Sequence, residues 1–399
     1  MTSLKKYVFI VILIISATIL AATGARIVRD ISKEKDDNSL DTNTDSLRLV
    51  TLVLRHGDRT PQDTYPNDPY INDSFEPYGW GQLTNKGRLN QYNQGVYLRE
   101  RYGKFLQSKY SPDIFWLQST APDRAKMSAL LEAAGLWKPD EKQTFKTGFP
   151  WQPVALHYQT DNDTLLLIWS SCPDYPRLHS IISNSKEIKE IESKNSQLFQ
   201  ELSKHSGMKI SNGDDIFSLY GTLEAEENMG LKLPEWTKEF FPDKLTELSK
   251  LSLSLNVYNE TLRQMKSGPL VSKIARAMKE KTEGKLMPKE RKMFMYVGHD
   301  STIVAILAGL NLWQREIPGY SNMVMIELHE DSNGWNVQVF LKDSTTKPPR
   351  PLTIPGCSRA CPLEQFESLM KPMLMTTSEW SELCQLKDPN WVPGKIPLP

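Results

Sequence analysis

The stretch Leu54-Arg55-His56-Gly57-Asp58-Arg59-Thr60-Pro61 decides how the rest of the chain is interpreted. An apolar run that begins at Leu49 and is rich in β-branched residues leads into it. A run of this kind, bounded by a glycine and a proline, predicts a buried strand that ends in a tight loop. In open α/β sheets, ligands bind beyond the carboxyl ends of the strands, so this loop is a candidate site.

The loop places one histidine between two arginines. Arg55 and Arg59 each carry a planar set of donors that matches a phosphate or a carboxylate. Positive charge on both sides favours the neutral form of His56, and a neutral imidazole can attack phosphorus. Gly57 is expected to let the backbone approach a bound oxyanion closely. The pattern therefore predicts chemistry at an anionic substrate, with a charged surface turn as the alternative.

A second candidate residue, Arg124, follows a short predicted strand that starts at Ile114 and ends at Ser119-Thr120. Arg124 begins a helix whose apolar residues are Met127, Leu130, Leu131 and Ala134. A helix N-terminus favours anions, so Arg124 is a candidate anion ligand. Taken alone, it would be an ordinary surface arginine.

A third candidate pair is His299 and Asp300, which follow a buried strand over residues 293–297. Ser301-Thr302 are expected to cap a helix over 303–310, in which case Asp300 alone would be a plain helix cap. Because parallel strands end at the same edge of a sheet, we expect these residues beside His56.

The remaining patterns predict an α/β fold, a doubly wound and mostly parallel sheet with helices on both faces. Thr84 is expected to cap a helix to about Leu106, in which Leu89, Tyr92 and Val96 recur at helical spacing. The sequence 331–334 separates two strand patterns and predicts an antiparallel hairpin at one edge. Residues 181–285 are rich in Lys, Glu, Ser and Leu and predict an inserted helical cap without catalytic residues.

Shifts in composition suggest the domain boundaries. We predict a signal peptide over 1–25, a flexible lead-in over 26–46, a first core segment over 47–175, a mostly helical cap over 176–288 and a second core segment with a C-terminal disulfide region over 289–399. Small residues near Gly24 and Ala25, after a basic and then an apolar stretch, indicate cleavage, with an uncleaved anchor as the alternative. The mature chain is then expected to lack a stable membrane span and to be secreted, lysosomal or otherwise luminal.

Charge and cysteine content limit the partners. The 48 basic and 48 acidic residues balance, so no nucleic-acid partner is predicted. The four cysteines allow three pairings and should be paired in an oxidising compartment. A zinc site is not expected, because no C-x-x-C pair is present and no histidine lies near a cysteine at ligand spacing. In a secreted chain, Asn72, Asn162 and Asn259 are candidate glycosylation sites.

The first motif resembles the R-H-G-x-R-x-P signature of the histidine acid phosphatases, complete here as Arg55, His56, Gly57, Arg59 and Pro61. Residues 78–87 resemble the segment that leads into the first helix of that family. Residues 119–129 resemble its S-T-x-x-D-R segment, and residues 298–300 resemble its second histidine and general-acid aspartate. The resemblance covers roughly residues 46–385 and is to the branch that contains the prostatic, lysosomal and insect venom acid phosphatases.

The resemblance implies a histidine phosphatase fold and the hydrolysis of small phosphate monoesters. It implies a phosphohistidine at His56, a proton donor at Asp300 and no metal or organic cofactor. The implied phosphate ligands are Arg55, Arg59, Arg124 and His299. The implied disulfides are Cys172–Cys384 and Cys357–Cys361. Relatives are often dimers, so a homodimer is expected by analogy. His157 and His179 are weaker candidates for the cap side of the pocket.

Other functions stay open at this stage. A phosphomutase or a cytosolic sugar bisphosphatase shares the histidine, but the signal peptide and the cysteines argue against both. A phytase-like or lysophospholipid-type phosphatase of the same superfamily is a nearer alternative. A phytase would need a strongly basic pocket, which the neutral cap does not favour. A non-catalytic secreted protein on the same fold is opposed by the intact motifs.

Overall fold

The structure is a computed structural model that describes residues 44–343 and 347–392. Within those residues, eight strands form one mixed sheet in the order β3-β2-β4-β1-β5-β6-β7, with β8 beside β6. The strands are β1 (Leu47–Arg55), β2 (Phe115–Thr120), β3 (Leu156–Gln159), β4 (Met293–Gly298), β5 (Met323–Asp331), β6 (Gly334–Lys342), β7 (Arg350–Leu352) and β8 (Cys361–Pro362).

The helices pack around this sheet and above its carboxyl edge. They are α1 (Asn85–Leu106), α2 (Asp123–Leu136), α3 (Asp174–Ser183), α4 (Lys186–Lys194), α5 (Ser196–Ser206), α6 (Gly213–Asn228), α7 (Thr237–Phe240), α8 (Asp243–Leu255), α9 (Glu260–Thr282), α10 (Asp300–Gly309), α11 (Leu363–Met370) and α12 (Thr377–Leu383). A short 3₁₀ helix, Lys371–Met373, separates the last two.

The α/β class predicted from the sequence is confirmed. Strands β3, β2, β4 and β1 are parallel, and the predicted hairpin joins β5 to β6. The antiparallel part is larger than one hairpin, because β5 pairs with β1 and both β7 and β8 pair with β6. Arg55 pairs with Gly298 in the β1–β4 register, so the two strands end side by side.

Strand β1 is buried on both faces, as its unbroken apolar run predicts. Leu49 and Val53 lie in one apolar cluster with residues of α9 and α10. Leu52 and Leu54 lie in another with residues of α1 and α2. The alternation of side chains along a strand therefore supplies both halves of the core, and the carboxyl end of β1 lies between two helix layers.

Some of the apolar residues that recur at helical spacing lie outside the buried faces of α1 and α2. Leu89 and Leu130 are exposed, whereas Gln91, Gln94 and Gly95 are buried in α1. A Cβ at Gly95 would lie 2.1 Å from the carbonyl oxygen of Glu132 in α2, so the backbones of the two helices nearly touch. This close approach favours small residues and amides at the interface, beside buried apolar residues such as Leu98 and Ala129.

The start of α10 also differs from the expectation. The helix begins at Asp300 rather than after Ser301-Thr302, and His299 is the residue that precedes it. The backbone nitrogen of His299 donates to Thr302 Oγ1 over 3.0 Å, so Thr302 closes the first turn from inside the helix. Asp300 is thereby held in the first turn at the carboxyl end of β4.

The predicted cap segment contains two kinds of helix. Helices α4 to α8 share an apolar cluster that includes Phe199, Leu202, Leu219 and Leu245. Helix α9 instead packs on the sheet through Leu270, Val271 and Ile274. The predicted domain boundaries stay a prediction, but this packing shows that α9 bridges the cap and the core.

The structure has disulfides Cys172–Cys384 and Cys357–Cys361, which is the pairing implied by the resemblance. Asn72, Asn162 and Asn259 are exposed, and their glycosylation stays a prediction. Among the described residues, no helix is long and apolar enough to cross a membrane. The predicted signal peptide and most of the predicted lead-in lie outside the described residues.

Candidate active site

The residues singled out in the sequence meet at the carboxyl edge of the sheet. Arg55, His56, Arg59, His299 and Asp300 line one cavity of about 460 Å³. Arg124 reaches the same cluster from the first turn of α2, because its Nε lies 3.1 Å from His56 Nε2. All six predicted site residues therefore belong to one cluster.

His56 is almost completely buried, with 2% of its surface exposed. Its Nδ1 lies 2.9 Å from the carbonyl oxygen of Gly57. A carbonyl only accepts, so Nδ1 must carry the hydrogen of the neutral ring. The lone pair is then on Nε2, where it accepts the hydrogen bond from Arg124. The ring is oriented with Nε2 as its nucleophilic atom.

Burial, and then the positive charge of Arg124, holds the pKa of His56 well below its usual range. His299 and the two flanking arginines add smaller effects in the same direction. The pKa of His299 is lowered for the same reasons, with burial first and Arg124 second. Both imidazoles are therefore neutral in mildly acidic solution, a state that a histidine nucleophile requires. The sequence had suggested only the flanking arginines as the cause.

Arg55 is the centre of the charge network. Its Nη2 lies 3.1 Å from Asp300 Oδ2 and 4.0 Å from Glu224 Oε2, and its Nη1 donates to the carbonyl oxygen of Pro318. The guanidinium also lies over the ring of Tyr320, 4.2 Å from the ring centre. Burial alone would lower the pKa of Arg55, but the negative charges of Asp300 and Glu224 raise it, so the group is a permanent cation.

The other two arginines are held by neutral groups. Arg59 Nη1 donates to the carbonyl oxygen of Thr60 over 3.0 Å, and Arg124 Nη2 donates to Gln62 Oε1 over 2.9 Å. Burial, followed by the positive charge of Arg59, lowers the pKa of Arg124 to about 10. Arg124 therefore carries its charge in acid and at neutral pH, which adds to the positive charge around His56.

Four buried polar atoms of the cluster have no hydrogen-bond partner among the described residues. They are Arg55 Nε, Arg59 Nε, His299 Nδ1 and the hydroxyl of Tyr320. Buried polar atoms are nearly always paired, and the two guanidinium nitrogens can only donate. A group that presents several acceptor oxygens, such as a phosphoryl group, satisfies such a set.

Gly57 also has a packing role that the sequence did not suggest. A Cβ at this position would lie 2.7 Å from the carbonyl oxygen of Gly87 and 3.0 Å from Gln91 Cγ, both in α1. The Gly57 nitrogen donates to Ser128 Oγ of α2 over 3.1 Å. The glycine thus allows the catalytic loop to lie directly against both helices, which makes its position rigid.

Sequence reasoning missed several residues of the site. Gln62, Glu224 and Tyr320 contact the arginines, and Thr120 Oγ1 lies 2.9 Å from His299 Nε2. Thr120 and Gln62 are adjacent to recognised motifs and could have been suspected. Glu224 and Tyr320 carry no local signal, because they come from the cap and from the loop before β5.

The two weaker histidine candidates, His157 and His179, lie in different parts of the structure. His179 lines the cavity, together with Tyr175 and Asp214. His157 lies in β3 and stacks on Trp116, with ring centres 3.8 Å apart, and is not among the residues that line this cavity. Within residues 44–343 and 347–392, no group of three or more His, Cys, Asp or Glu side chains is arranged to hold a metal ion.

The geometry agrees with comparisons to known proteins. The profile of the Histidine phosphatase superfamily (branch 2) matches residues 46–342. The chain is 36% identical to prostatic acid phosphatase of Rattus norvegicus over 345 residues, which are 85% of this chain and 89% of that one. It is 32% identical to lysosomal acid phosphatase of Homo sapiens over 351 residues, 86% of this chain and 82% of that one. The chain belongs to branch 2 of the histidine phosphatase superfamily.

Solved structures support the fold. Hafnia alvei phytase in complex with myo-inositol hexakis sulphate superposes with a TM-score of 0.63 at 18% identity, covering 86% of this chain and 98% of that chain. The phytase from Citrobacter braakii superposes with a TM-score of 0.60 at 17% identity, covering 85% and 99%. At these identities the likeness shows a shared fold and nothing about the substrate.

Proposed function

We propose that this chain, a phosphomonoester hydrolase of the histidine phosphatase superfamily, works as an acid phosphatase with His56 as its nucleophile. The observation that carries this proposal is the orientation of His56. Its Nδ1 is committed to the carbonyl of Gly57, so Nε2 carries the lone pair, which accepts from Arg124 in the free site and attacks phosphorus once Arg124 binds a phosphoryl oxygen instead.

In the first step, the Nε2 lone pair forms a bond to phosphorus while the ester P–O bond breaks. Arg55, Arg59 and Arg124 bind the phosphoryl oxygens and stabilise their charge in the transition state. Thr120 Oγ1 lies 2.9 Å from His299 Nε2. With the Thr120 hydroxyl as donor, the hydrogen of neutral His299 is on Nδ1, which has no other partner among the described residues and donates to a phosphoryl oxygen. Asp300 gives its proton to the departing alcohol oxygen.

In the second step, water attacks phosphorus and the N–P bond breaks, which releases inorganic phosphate and restores neutral His56. Asp300, now a carboxylate, accepts the proton of the attacking water. The ion pair between Asp300 and Arg55 stabilises this carboxylate. When substrate binds, its phosphoryl oxygens compete with Asp300 for Arg55 and weaken that pair.

The covalent step can be tested by trapping. Wild type should be mixed with ³²P-labelled substrate and quenched rapidly in alkaline detergent, because phosphohistidine is labile in acid. We expect label on His56, none in His56→Ala, and undiminished label in the control His157→Ala. Label on a serine or an aspartate, or turnover by His56→Ala near the wild-type rate, would overturn the assignment.

The cavity lining favours a monoester over a polyphosphate such as phytate. Five acidic residues line the cavity: Asp63, Asp214, Asp215, Glu224 and Asp300. Their charges oppose a ligand that carries several phosphates, whereas the three arginines are sufficient for one. Hydrolysis of phytate as fast as that of a simple alkyl phosphate would favour the phytase-like alternative.

The proposed location is secreted, lysosomal or otherwise luminal. Two disulfides support it, since such bonds persist in oxidising compartments. Prostatic and lysosomal acid phosphatases are relatives of comparable length. Expression of a tagged full-length chain in a eukaryotic cell tests the proposal, with recovery of the intact chain in the reducing cytosol as the contrary result.

A homodimer is proposed on two features of one region. Strand β3 is at the sheet edge and exposes Tyr158, and the loop before it exposes three aromatic residues that contact one another, Phe145, Phe149 and Trp151. Open edges and apolar patches are typical of association surfaces. In sedimentation experiments, wild type should be a dimer, and Trp151→Ser should dissociate more readily into monomers. A wild-type protein that is monomeric at micromolar concentration would refute the proposed homodimer.

A further inference from the structure

Besides the three arginines, the cavity has a further cation that the proposed chemistry does not use. Lys266 of α9 lines the cavity together with Asp300 and Ser301. Its Nζ donates to Asn256 Oδ1 over 3.0 Å and lies 5.5 Å from the ring centre of Tyr175. Among the described residues, no carboxylate is close enough to form an ion pair with it, and Asp300 is the acidic residue that affects its charge most.

The surroundings hold Lys266 in place. Asn256 Nδ2 donates to the carbonyl oxygen of Ser252, and the hydroxyl of Tyr175 donates to the carbonyl oxygen of Asn256. Met265, the neighbour of Lys266 in α9, is fully buried. The hydrogen bonds of Asn256 and Tyr175 therefore hold the ammonium of Lys266 in place, so it does not move freely into solvent.

The ammonium of Lys266 is partly buried and is not saturated with acceptors in the described part of the chain. A lysine has three donors, and the side chains around Nζ accept one hydrogen bond. The remaining donors border a cavity with an apolar wall, where an anionic ligand would form charge-assisted hydrogen bonds with them. Burial lowers the pKa of Lys266 to about 8, so the group keeps its charge throughout the acid range in which the enzyme is expected to work.

The other walls of the cavity limit what can reach this group. Leu166, Ile168 and Trp169 form an apolar wall, and the acidic residues named above repel ligands with many charges. His56 marks the position of the reacting phosphate, and Asp300 marks that of the leaving oxygen. Lys266 lines the same cavity as Asp300 and Ser301, so its ammonium borders the space into which the rest of the leaving group extends.

We propose that Lys266 is a specificity-determining residue, which binds one anionic group on the alcohol portion of the substrate. The substrate class is then a phosphate monoester whose leaving alcohol carries a carboxylate or a second phosphate, joined through an apolar portion. This inference rests on the proposed function of the same cavity and goes beyond it by naming the class of leaving group.

A matched series of substrates tests the idea. Each ω-carboxyalkyl phosphate is compared with the carboxamide of the same alkyl length, because the two leaving alcohols differ in charge and hardly in basicity. A third set of alkyl phosphates carries a phosphonate in place of the carboxylate. The phosphonate represents a second phosphate group but cannot be hydrolysed. At about pH 5.5, the ratio of kcat/KM for the anionic and the neutral member should reach about 10- to 100-fold at the best length, the usual range for a hydrogen bond to a charged group.

Variants assign the preference to Lys266. Lys266→Gln can keep the hydrogen bond to Asn256 but loses the charge, so the ratio should fall to near one while the neutral substrate is still hydrolysed. Lys266→Arg should keep most of the preference. Lys273→Gln, on the same helix but outside the residues that line the cavity, should behave as wild type.

Each outcome has one meaning. A ratio near one in wild type at every length, or a ratio that persists in Lys266→Gln, overturns the proposal. Equal losses on the charged and the neutral substrates in Lys266→Gln also overturn it, since they would mean that Lys266 acts through Asp300. Failure of wild type to hydrolyse even the neutral members would instead count against the proposed function.

Discussion

Glu226 should make the protein more stable in acid than at neutral pH. This glutamate of α6 is fully buried, and neither of its carboxylate oxygens receives a hydrogen bond from the described residues. Asp68 and Tyr65, from the segment that follows the catalytic loop, are the titratable groups facing it. Burial first, and then the negative charge of Asp68, raises the pKa of Glu226 from 4.5 to about 8.

The sign follows from proton binding. In the unfolded chain Glu226 loses its proton near its ordinary pKa, whereas in the folded protein it keeps the proton to about pH 8. Between these values the folded state binds more protons, so its stability is full below the unfolded pKa and falls as pH rises. The loss is about 1.4 kcal/mol for each pH unit, or about 3 kcal/mol between pH 5 and pH 7.

Glu226→Gln keeps the shape of the protonated side chain and removes the titration. We expect the free energy of unfolding to match wild type near pH 5 and to exceed it by about 3 kcal/mol near pH 7, measured from urea transitions at both pH values. Glu227→Gln is the matched control, because Glu227 is the exposed neighbour on the same helix. The reasoning is refuted if Glu226→Gln and wild type lose stability in parallel between the two pH values.

Four further outcomes are expected. Asp300→Asn should slow phosphoenzyme formation from an alkyl phosphate by about 10²- to 10⁴-fold. The effect on nitrophenyl phosphate should be clearly smaller, because its leaving group needs no proton. Equal losses for the two substrates in single-turnover measurements would mean that Asp300 has only a structural role. Gly57→Ala should lower kcat by about 10²-fold, because the new Cβ would meet the Gly87 carbonyl at 2.7 Å and displace the loop, and unchanged kinetics would contradict that packing. Replacing Cys172 and Cys384 by serine opens a loop of 212 residues and should cost about 5 kcal/mol of unfolding free energy in guanidinium titrations, so a cost near zero would refute the loop-entropy argument. Prolonged chelation should leave activity unchanged, since arginines supply the positive charge that a metal would otherwise provide, and a loss restored by zinc or magnesium would speak against this.

The sequence predicts those features that depend on neighbouring residues. The apolar run before Arg55 predicts a strand buried on both faces, and Thr84 predicts the start of α1. The motifs around His56, Arg124 and His299 each follow a strand, and the topology of parallel strands then requires them to share one edge. Fold class and the main site residues could therefore be predicted before any coordinates were known.

Contacts between distant segments could not be predicted in this way. Nothing near Lys266, Glu224 or Tyr320 in the sequence indicates that α9, the cap and the loop before β5 converge on the cavity. The close packing of α1 on α2 could not be predicted for the same reason, since hydrophobic spacing describes one helix and not the distance to its neighbour.

Local pattern thus indicated the candidate site residues, and tertiary structure determined how they are held and what lies opposite them. Gly57 is the clearest example of a feature that only the structure explains. The sequence shows a glycine in a loop, whereas the structure shows that a side chain at this position would clash with the Gly87 carbonyl. The orientation of His56 is another, since it depends on Arg124, 68 positions away in the chain. Packing distances and the burial of charge are properties of the assembled chain, and no window of sequence contains them.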